Sequence, residues 1–400
     1  MRILIFTLWL SILLTGCSNR PQGGSTLSVS DSVTVHLGYS MRSDLATTWH
    51  DPYTGVEYFV FAEPTTKKCI SFVDLSGQPI LTVQLDSALT QLDDVNAFSV
   101  VNMDSIWLMP AHQNRVVLIN RDGKVIDRIL LDPCSTTPEG DRYEYSATIF
   151  GGFHYKRSLV LRSYFKENVL DSLSDGVVQP RIQYVQGFYS ALNPKPYLAV
   201  VDLGVGGSCS ARLGIDSFYT HLSQLPFNST EAKMYVVMGD SVWILSAYSD
   251  RIFVADIREL KVRRTVQFHS DHTPTYIPPP VIDQEEADSR GKNLNHRFAT
   301  EGYIQNLVRD RRTGQIVLAV YHQVPWDSPP EKTKIDRPFS LLIFDKALTH
   351  QVAEYVFDDI RHDGFCLLPT QAGLYMIRHE DKQAQASPQH GFDLFVLPQL

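Results

Sequence analysis

Short apolar runs bounded by Gly, Asp, Asn and Pro recur along the chain, and no segment shows a convincing amphipathic helical period. Taken four at a time the runs form units of roughly 35 residues, within the range of propeller blades. The last unit is one strand short, while one strand near the N-terminus has no unit of its own. These three observations predict an all-β fold: a six-bladed β-propeller with four antiparallel strands per blade, its last blade closed by the N-terminal strand. Closure leaves only short protected edges.

The chain begins with a different signal. Met1-Arg2 is a short positive region, Ile3 to Leu14 is apolar, and Leu14-Thr15-Gly16-Cys17 fits the small-residue cleavage pattern of a lipobox. The apolar stretch is too short for a permanent membrane helix, which needs about 20 residues. The expected organisation is therefore a signal peptide over 1–16, a flexible lipidated tether over 17–27 and a single β-propeller domain over 28–400. Cys17 would carry the acyl chains, which makes the lipid bilayer one partner; two chains anchor stably where one does not. Ser18 to Leu27 is small and polar with Gly23-Gly24, as suits a tether.

The strands follow in order. Ser32 to Leu37 is the lone N-terminal strand. The first unit runs from about Thr47 to Leu85, with Glu57–Ala62, Cys69–Asp74 and Ile80–Leu85 as strands. The second is the clearest: Ala97–Val101, Ser105–Met109, Arg115–Ile119 and Lys124–Leu130, its last hairpin turning on Asn120-Arg121-Asp122-Gly123, where glycine supplies positive φ. The third comprises Ser146–Gly151, Ser158–Tyr164, Tyr197–Leu203 and Ser208–Gly214. The fourth repeats the second, with Met234–Met238, Ser241–Ala247, Arg251–Ile257 and Val262–Phe268; Trp107 and Trp243 fall at the same place in the two units. The fifth comprises Gly302–Arg309, Gln315–His322, Phe339–Asp345 and Gln351–Phe357. The sixth supplies only Gly364–Pro369, Gly373–Arg378 and Phe392–Leu397.

A lipobox, this chain length and segments such as Phe339-Ser340-Leu341-Leu342-Ile343-Phe344-Asp345 and Gly373-Leu374-Tyr375-Met376 resemble the Bacteroidota six-bladed β-propeller lipoproteins of unknown function. The resemblance implies an architecture and a cell-envelope location, and it brings no catalytic residues. In lipoproteins of that kind an acidic stretch just after the cysteine marks surface export. None follows Cys17, so a periplasm-facing anchor is expected over a surface-exposed one.

The formal net charge of −8 becomes −9 once Arg2 leaves with the signal, and no basic cluster offsets it, so no nucleic-acid partner is expected. A monomer is expected. Cys69 and Cys366 lie in apolar runs and read as buried thiols; Cys134 and Cys209 complete the set without any C-x-x-C pair. Elbow, zincin, P-loop and dinucleotide signatures are missing, and no cofactor or metal is expected. Gly204-Val205-Gly206-Gly207 joins two strands and reads as a hairpin turn. His112, His322 and His379 each follow the second strand of a unit and read as solvated strand ends, not as a metal set. Tyr303, Asn306, Arg309 and Asp310 belong to an innermost strand, where hydration of the central channel is the favoured role over ligand binding.

Connection lengths mark a working face. In a propeller the first-to-second and third-to-fourth strand turns share one end, and the remaining connections share the other. The tight turns, such as Gly239-Asp240 and Asp122-Gly123, are of the first kind; Phe165–Pro196, His269–Thr300, Gln323–Pro338, His379–Gly391 and Asp132–Tyr145 are of the second. Arg181, Tyr184, Tyr276, His296, Arg297 and Trp326 in these insertions are the candidate ligand-binding residues, because aromatic and Arg side chains dominate interface hot spots. Two functions fit such a face. One is a membrane-anchored binding or scaffold propeller that recognises an envelope protein, peptide or glycan. The other is a propeller enzyme, a hydrolase or lyase acting on a lactone or saccharide at the channel mouth.

Overall fold

The computed structural model describes residues 27–39, 41–63, 67–85, 95–110, 115–131, 143–146, 152–165, 196–203, 208–214, 233–246, 250–272, 303–325, 337–358, 361–378 and 389–399. They form the predicted ring of six antiparallel blades, each with four strands along its hydrogen-bonded path. β1 (Val29–His36) precedes the first blade, which runs β2 (Ala46–His50), β3 (Glu57–Glu63), β4 (Cys69–Asp74) and β5 (Pro79–Gln84). The second runs β6 (Val95–Asn102), β7 (Ser105–Pro110), β8 (Arg115–Ile119) and β9 (Val125–Leu130). In the third, β10 (Tyr143–Ser146) and β11 (His154–Tyr155) both pair with β12 (Ser158–Phe165), followed by β13 (Pro196–Asp202) and β14 (Ser208–Gly214). The fourth is β15 (Lys233–Met238), β16 (Ser241–Ser246), β17 (Arg251–Asp256) and β18 (Val262–Gln267). The fifth is β19 (Tyr303–Arg309), β20 (Ile316–Tyr321), β21 (Phe339–Phe344) and β22 (Gln351–Phe357). The sixth is β23 (His362–Pro369), β24 (Leu374–Arg378) and β25 (Gln389–Phe395), with β1 outermost.

Burial explains why the strands read as they do. β20 and β21 are the middle strands of their blade and are buried at every position, because the neighbouring blades cover both faces; hence their continuous apolar runs. The outer strand β18 alternates partly covered and exposed residues, since one face meets water. Apolar clusters fill the seams between blades one and two, two and three, three and four, four and five, five and six, and six and one. Among the described residues every seam between neighbouring blades is thus packed, and only the outer strands turn a face to water.

The last seam is where the N-terminal strand works. β1 lies antiparallel to β25, with Val33 opposite Phe392 and Val35 opposite His390. Phe392, fully buried, stacks on Phe59 of blade one at 5.9 Å between ring centroids. Just past β1, the Tyr39 hydroxyl meets Ser71 Oγ of β4 at 2.8 Å, so the entering segment bonds to blade one as well as to blade six. Two turn glycines lock the same kind of junction. Gly77 and Gly123 have φ of +89° and +75°, and a Cβ on either would fall 2.1 Å from Thr34 O or 1.5 Å from Gln84 O, the backbone of the preceding blade's outer strand.

One innermost strand differs from expectation. Ser146–Gly151 was expected to form it; instead β10 ends at Ser146 and β11 begins at His154, with residues 147–151 outside the described set. The described pairs of this strand run from Tyr143↔Phe165 to Ser146↔Arg162 on β10, and pairing with β12 is described again at His154↔Leu159 on β11. Its return is set by packing: Phe153 is fully buried between blades two and three, and Gly152 passes so close to Ser99 Oγ that a Cβ would lie 2.6 Å from it.

Candidate functional site

The strand order separates the two ends of the ring. Turns β2–β3, β4–β5, β6–β7, β8–β9, β15–β16, β17–β18, β19–β20, β21–β22 and β23–β24 lie at one end, where β1 also begins beside the last residues of β25. The strand ends that bracket 132–142, 166–195, 215–232, 273–302, 326–336 and 379–388 all lie at the other. The chain thus enters the ring at the short-turn end, on the outer strand of blade six, while the long connections leave from the opposite end.

At the short-turn end several polar side chains serve their own turns, while Lys156, Arg264 and Arg311 reach other blades. Asp74 Oδ1 accepts from the backbone N–H groups of Ser76 and Gln78, both at 2.9 Å. Asp256 Oδ1 accepts from Arg258 and Glu259 in the same manner, and Asn120 Oδ1 from Asp122 and Lys124. Hydrogen bonds from Tyr53 and Thr54 hold Asp51 below the usual carboxylate range, and those from Glu259 and Arg258 do the same for Asp256.

The long-connection end of blades five and six is built otherwise. His322, at the end of β20, is buried and its Nε2 lies 2.7 Å from Ser340 Oγ. Exposed His272, where segment 273–302 begins, stacks on the His322 ring at 4.5 Å. Burial first, then the charges of His272 and Arg337, pull His322 down to about 4, so its ring is neutral at neutral pH. Arg337, buried where segment 326–336 returns to the fold, donates to the His322 carbonyl and lies over the Tyr321 ring. The Tyr321 hydroxyl donates to the Asp363 carboxylate, which also accepts from Phe365 N–H at 3.0 Å. Beside it, His362 Nε2 is 2.9 Å from Asp393 Oδ2, while Ser32 of β1 donates to Asp393 Oδ1 at 2.6 Å. Burial pushes the Asp393 carboxyl up, but the bonds from Ser32 and His362 and the nearby Arg378 outweigh it and hold the carboxyl low. A polar seam therefore runs from the middle of blade five to the closing strand. A cleft of about 590 Å³ opens beside Asp393, lined by Phe357, Arg361, His362 and Arg378 and by Leu27 of the entering chain.

This chemistry positions structure rather than a nucleophile. A hydrolytic serine needs its hydroxyl on an imidazole that a third group orients. Ser32 instead donates to the carboxylate, and Ser340, which does meet an imidazole, is fully buried on β21. Among the described residues no group of three or more His, Cys, Asp or Glu is placed to hold a metal ion.

Several sequence expectations meet the structure here. Cys69 and Cys366 are buried free thiols, as expected. β13 and β14 pair antiparallel, and Gly204-Val205-Gly206-Gly207 between them lies outside the described residues. Trp107 and Trp243 occupy the third position of the second strand in their blades. His322, expected as a solvated strand end, is buried, because its blade continues past it to Arg337 and Pro338, whose carbonyl accepts from His322 N–H. Asn306 and Asp310, expected to hydrate the channel, are buried in protein contacts instead: Asn306 donates to the Phe365 carbonyl of blade six, and Asp310 caps Thr313. Cys17, Arg181, Tyr184, Tyr276, His296, Arg297 and Trp326 lie outside the described residues, as do His112 and His379. The seam residues Arg337, Asp363 and Asp393 were not singled out in the sequence. Their signal was a charge within or beside an apolar run, as in Phe392-Asp393-Leu394-Phe395.

Neither a family model nor a curated protein matches the sequence. Solved structures do. A member of the DUF4221 family from Bacteroides vulgatus superposes with a TM-score of 0.64 over 92% of this chain and 97% of its own, at 15% identity. A protein from Bacteroides fragilis aligns over 94% of this chain and 96% of its own at 10% identity, with a TM-score of 0.45. The resemblance to Bacteroidota propellers thus holds at the level of fold: the chain is a six-bladed β-propeller whose architecture is shared with a Bacteroides protein of nearly the same extent.

Proposed function

We propose that the protein is a cell-envelope binding or scaffold propeller, held to the bilayer by acylated Cys17 and facing the periplasm, that recognises a protein, peptide or glycan on its long-connection end. The observation that carries this reading is the opposition of the two ends. The entering chain, with the lipobox upstream of it, joins the ring at the short-turn end, and the connections rich in Arg and aromatic residues leave from the other. A tether of about ten residues then favours presenting the long connections away from the membrane. The buried seam includes Arg337 and lies against His272, the described residues that adjoin segments 326–336 and 273–302, and so supplies rigid attachment points for loops that bind, as preorganised sites require. The hydrolase or lyase reading gains no comparable support, since the serines of the seam are not poised as nucleophiles.

The test is a crosslinked envelope pull-down with the lipidated chain. Alanine at Arg181, Tyr184, Tyr276, His296, Arg297 or Trp326 is expected to weaken partner capture by about 1 to 4 kcal/mol where the residue is an anchor. Cys17→Ser is expected to release the protein from membranes. Capture that survives all six alanines together, or membrane retention of Cys17→Ser at high salt, contradicts the reading.

A further inference from the structure

At the short-turn end, between blades four and five, lies a second cleft of about 340 Å³ whose charge departs from that of the protein. The chain as a whole carries −8, yet Arg263, Arg264, Arg309 and Lys346 line this cleft against one carboxylate, Asp256. That carboxylate is already engaged by the backbone N–H groups of Arg258 and Glu259. Arg263 is paired with Glu259 at 2.6 Å on the exposed rim. The other cations are held without carboxylates among the described residues. Arg264 is pinned by two carbonyls, donating to Leu348 O at 2.6 Å and Ala347 O at 2.5 Å. The Arg309 guanidinium lies over the Trp243 ring at 5.8 Å, which fixes its plane while leaving its donors for another acceptor. Lys346 extends along Gly314, with its methylenes 3.3 Å from where a Cβ there would sit.

Gathering cations in a concave site costs mutual repulsion, which an anion relieves. A planar guanidinium on an aromatic face, a second guanidinium fixed by carbonyls and an ammonium match the oxygens of a phosphate group, which Arg binds through paired hydrogen bonds and Lys as a point charge. We propose that this cleft binds a phosphate group, carried by a phospholipid headgroup or by a soluble phosphate. The cleft stands on its own geometry and does not depend on the anchor. Its position at the end where the chain enters the ring suits a headgroup when the protein is tethered, and anionic lipid attracts basic residues near the surface.

The probes are inorganic phosphate and glycerol phosphate, followed by tryptophan fluorescence, and vesicles of phosphatidylglycerol with phosphatidylcholine, followed by sedimentation. The full chain carrying Cys17→Ser removes the anchor from the readout. Arg309→Gln with Lys346→Gln is expected to weaken binding of at least one probe roughly tenfold, while Arg121→Gln with Lys124→Gln, an equal loss of charge on blade two, leaves it unchanged. Vesicle binding alone assigns the headgroup, and binding of the soluble phosphates alone assigns a soluble ligand. The charge-keeping pair Arg309→Lys with Lys346→Arg is expected to retain part of the affinity, and matched thermal unfolding shows that all variants fold. Absence of binding to every probe at millimolar phosphate, or equal losses in the cleft pair and the blade-two pair, overturns the proposal.

Discussion

The two ends of this ring solve the same problem in different ways. At the short-turn end several carboxylates satisfy their own turns, as Asp74 accepts from Ser76 and Gln78 and Asp345 from Thr349 and His350, while the cations Lys156, Arg264 and Arg311 reach other blades. In blades five and six the polar bonds join distant parts of the chain: Tyr321 to Asp363 and Asn306 to Phe365 between the two blades, and Ser32 to Asp393 across the closing ladder of blade six. Local bonds fix a turn. Distant bonds fix how blades stand against one another, and they support the place where the longest connections leave.

The largest effect is expected where the distant bonding is most extended. Deleting Ser28 to Tyr39 removes the outer strand of blade six, its ladder with β25 and the Tyr39 contact with Ser71, and is expected to abolish cooperative unfolding in urea. A deletion variant with an unchanged midpoint breaks the account of ring closure. Next, Gly123→Ala at the short-turn end forces a Cβ against Gln84 O and a strained φ, which is expected to cost about 3 kcal/mol in a denaturant titration.

Coupling sharpens the comparison further. Asp393→Ala and His362→Ala each remove one partner of a buried pair, so each is expected to cost about 1 to 3 kcal/mol. Their double mutant should fall short of additivity by about 0.5 to 3 kcal/mol. Asp74→Ala with Asp345→Ala, which share no partner, should add to within about 0.5 kcal/mol. Equal coupling in both pairs would erase the distinction between the two ends.

The smallest effect is a pH dependence. His322 is held at about 4 in the folded state, below its ordinary value near 6.5. The unfolded chain therefore binds the proton first, and this histidine stabilises the fold fully above pH 6.5 and progressively less as pH falls toward 4. His322→Gln should flatten the fall in urea midpoint across that window, with a remnant from His154, which burial also lowers. A wild-type midpoint constant from pH 7 to 4.5 contradicts the assignment.

This difference between the ends also decides what could be read from the sequence. The blades were legible because their signals are local: apolar runs, Asx turns and glycines such as Gly123 recur at blade spacing, and the missing sixth-blade strand followed from counting. The seam was not legible because its partners are far apart, and nothing near Asp393 announces Ser32 or His362. In blade three the expected inner strand Ser146–Gly151 falls almost wholly outside the described residues, while the described innermost ladder is Tyr143–Ser146 on β12 and Phe153 is buried between blades two and three.

The central claim is that the short-turn end faces the membrane and the long-connection end faces away from it. It is tested most directly by fluorescence quenching of the lipidated chain in vesicles carrying a headgroup-linked quencher. One label is placed at Asp240→Cys, exposed at the short-turn end, and another at Gln323→Cys, exposed where segment 326–336 departs, with Cys134 and Cys209 replaced by Ser. The account predicts strong quenching at position 240 and weak quenching at position 323; equal quenching, or the reverse order, would contradict it.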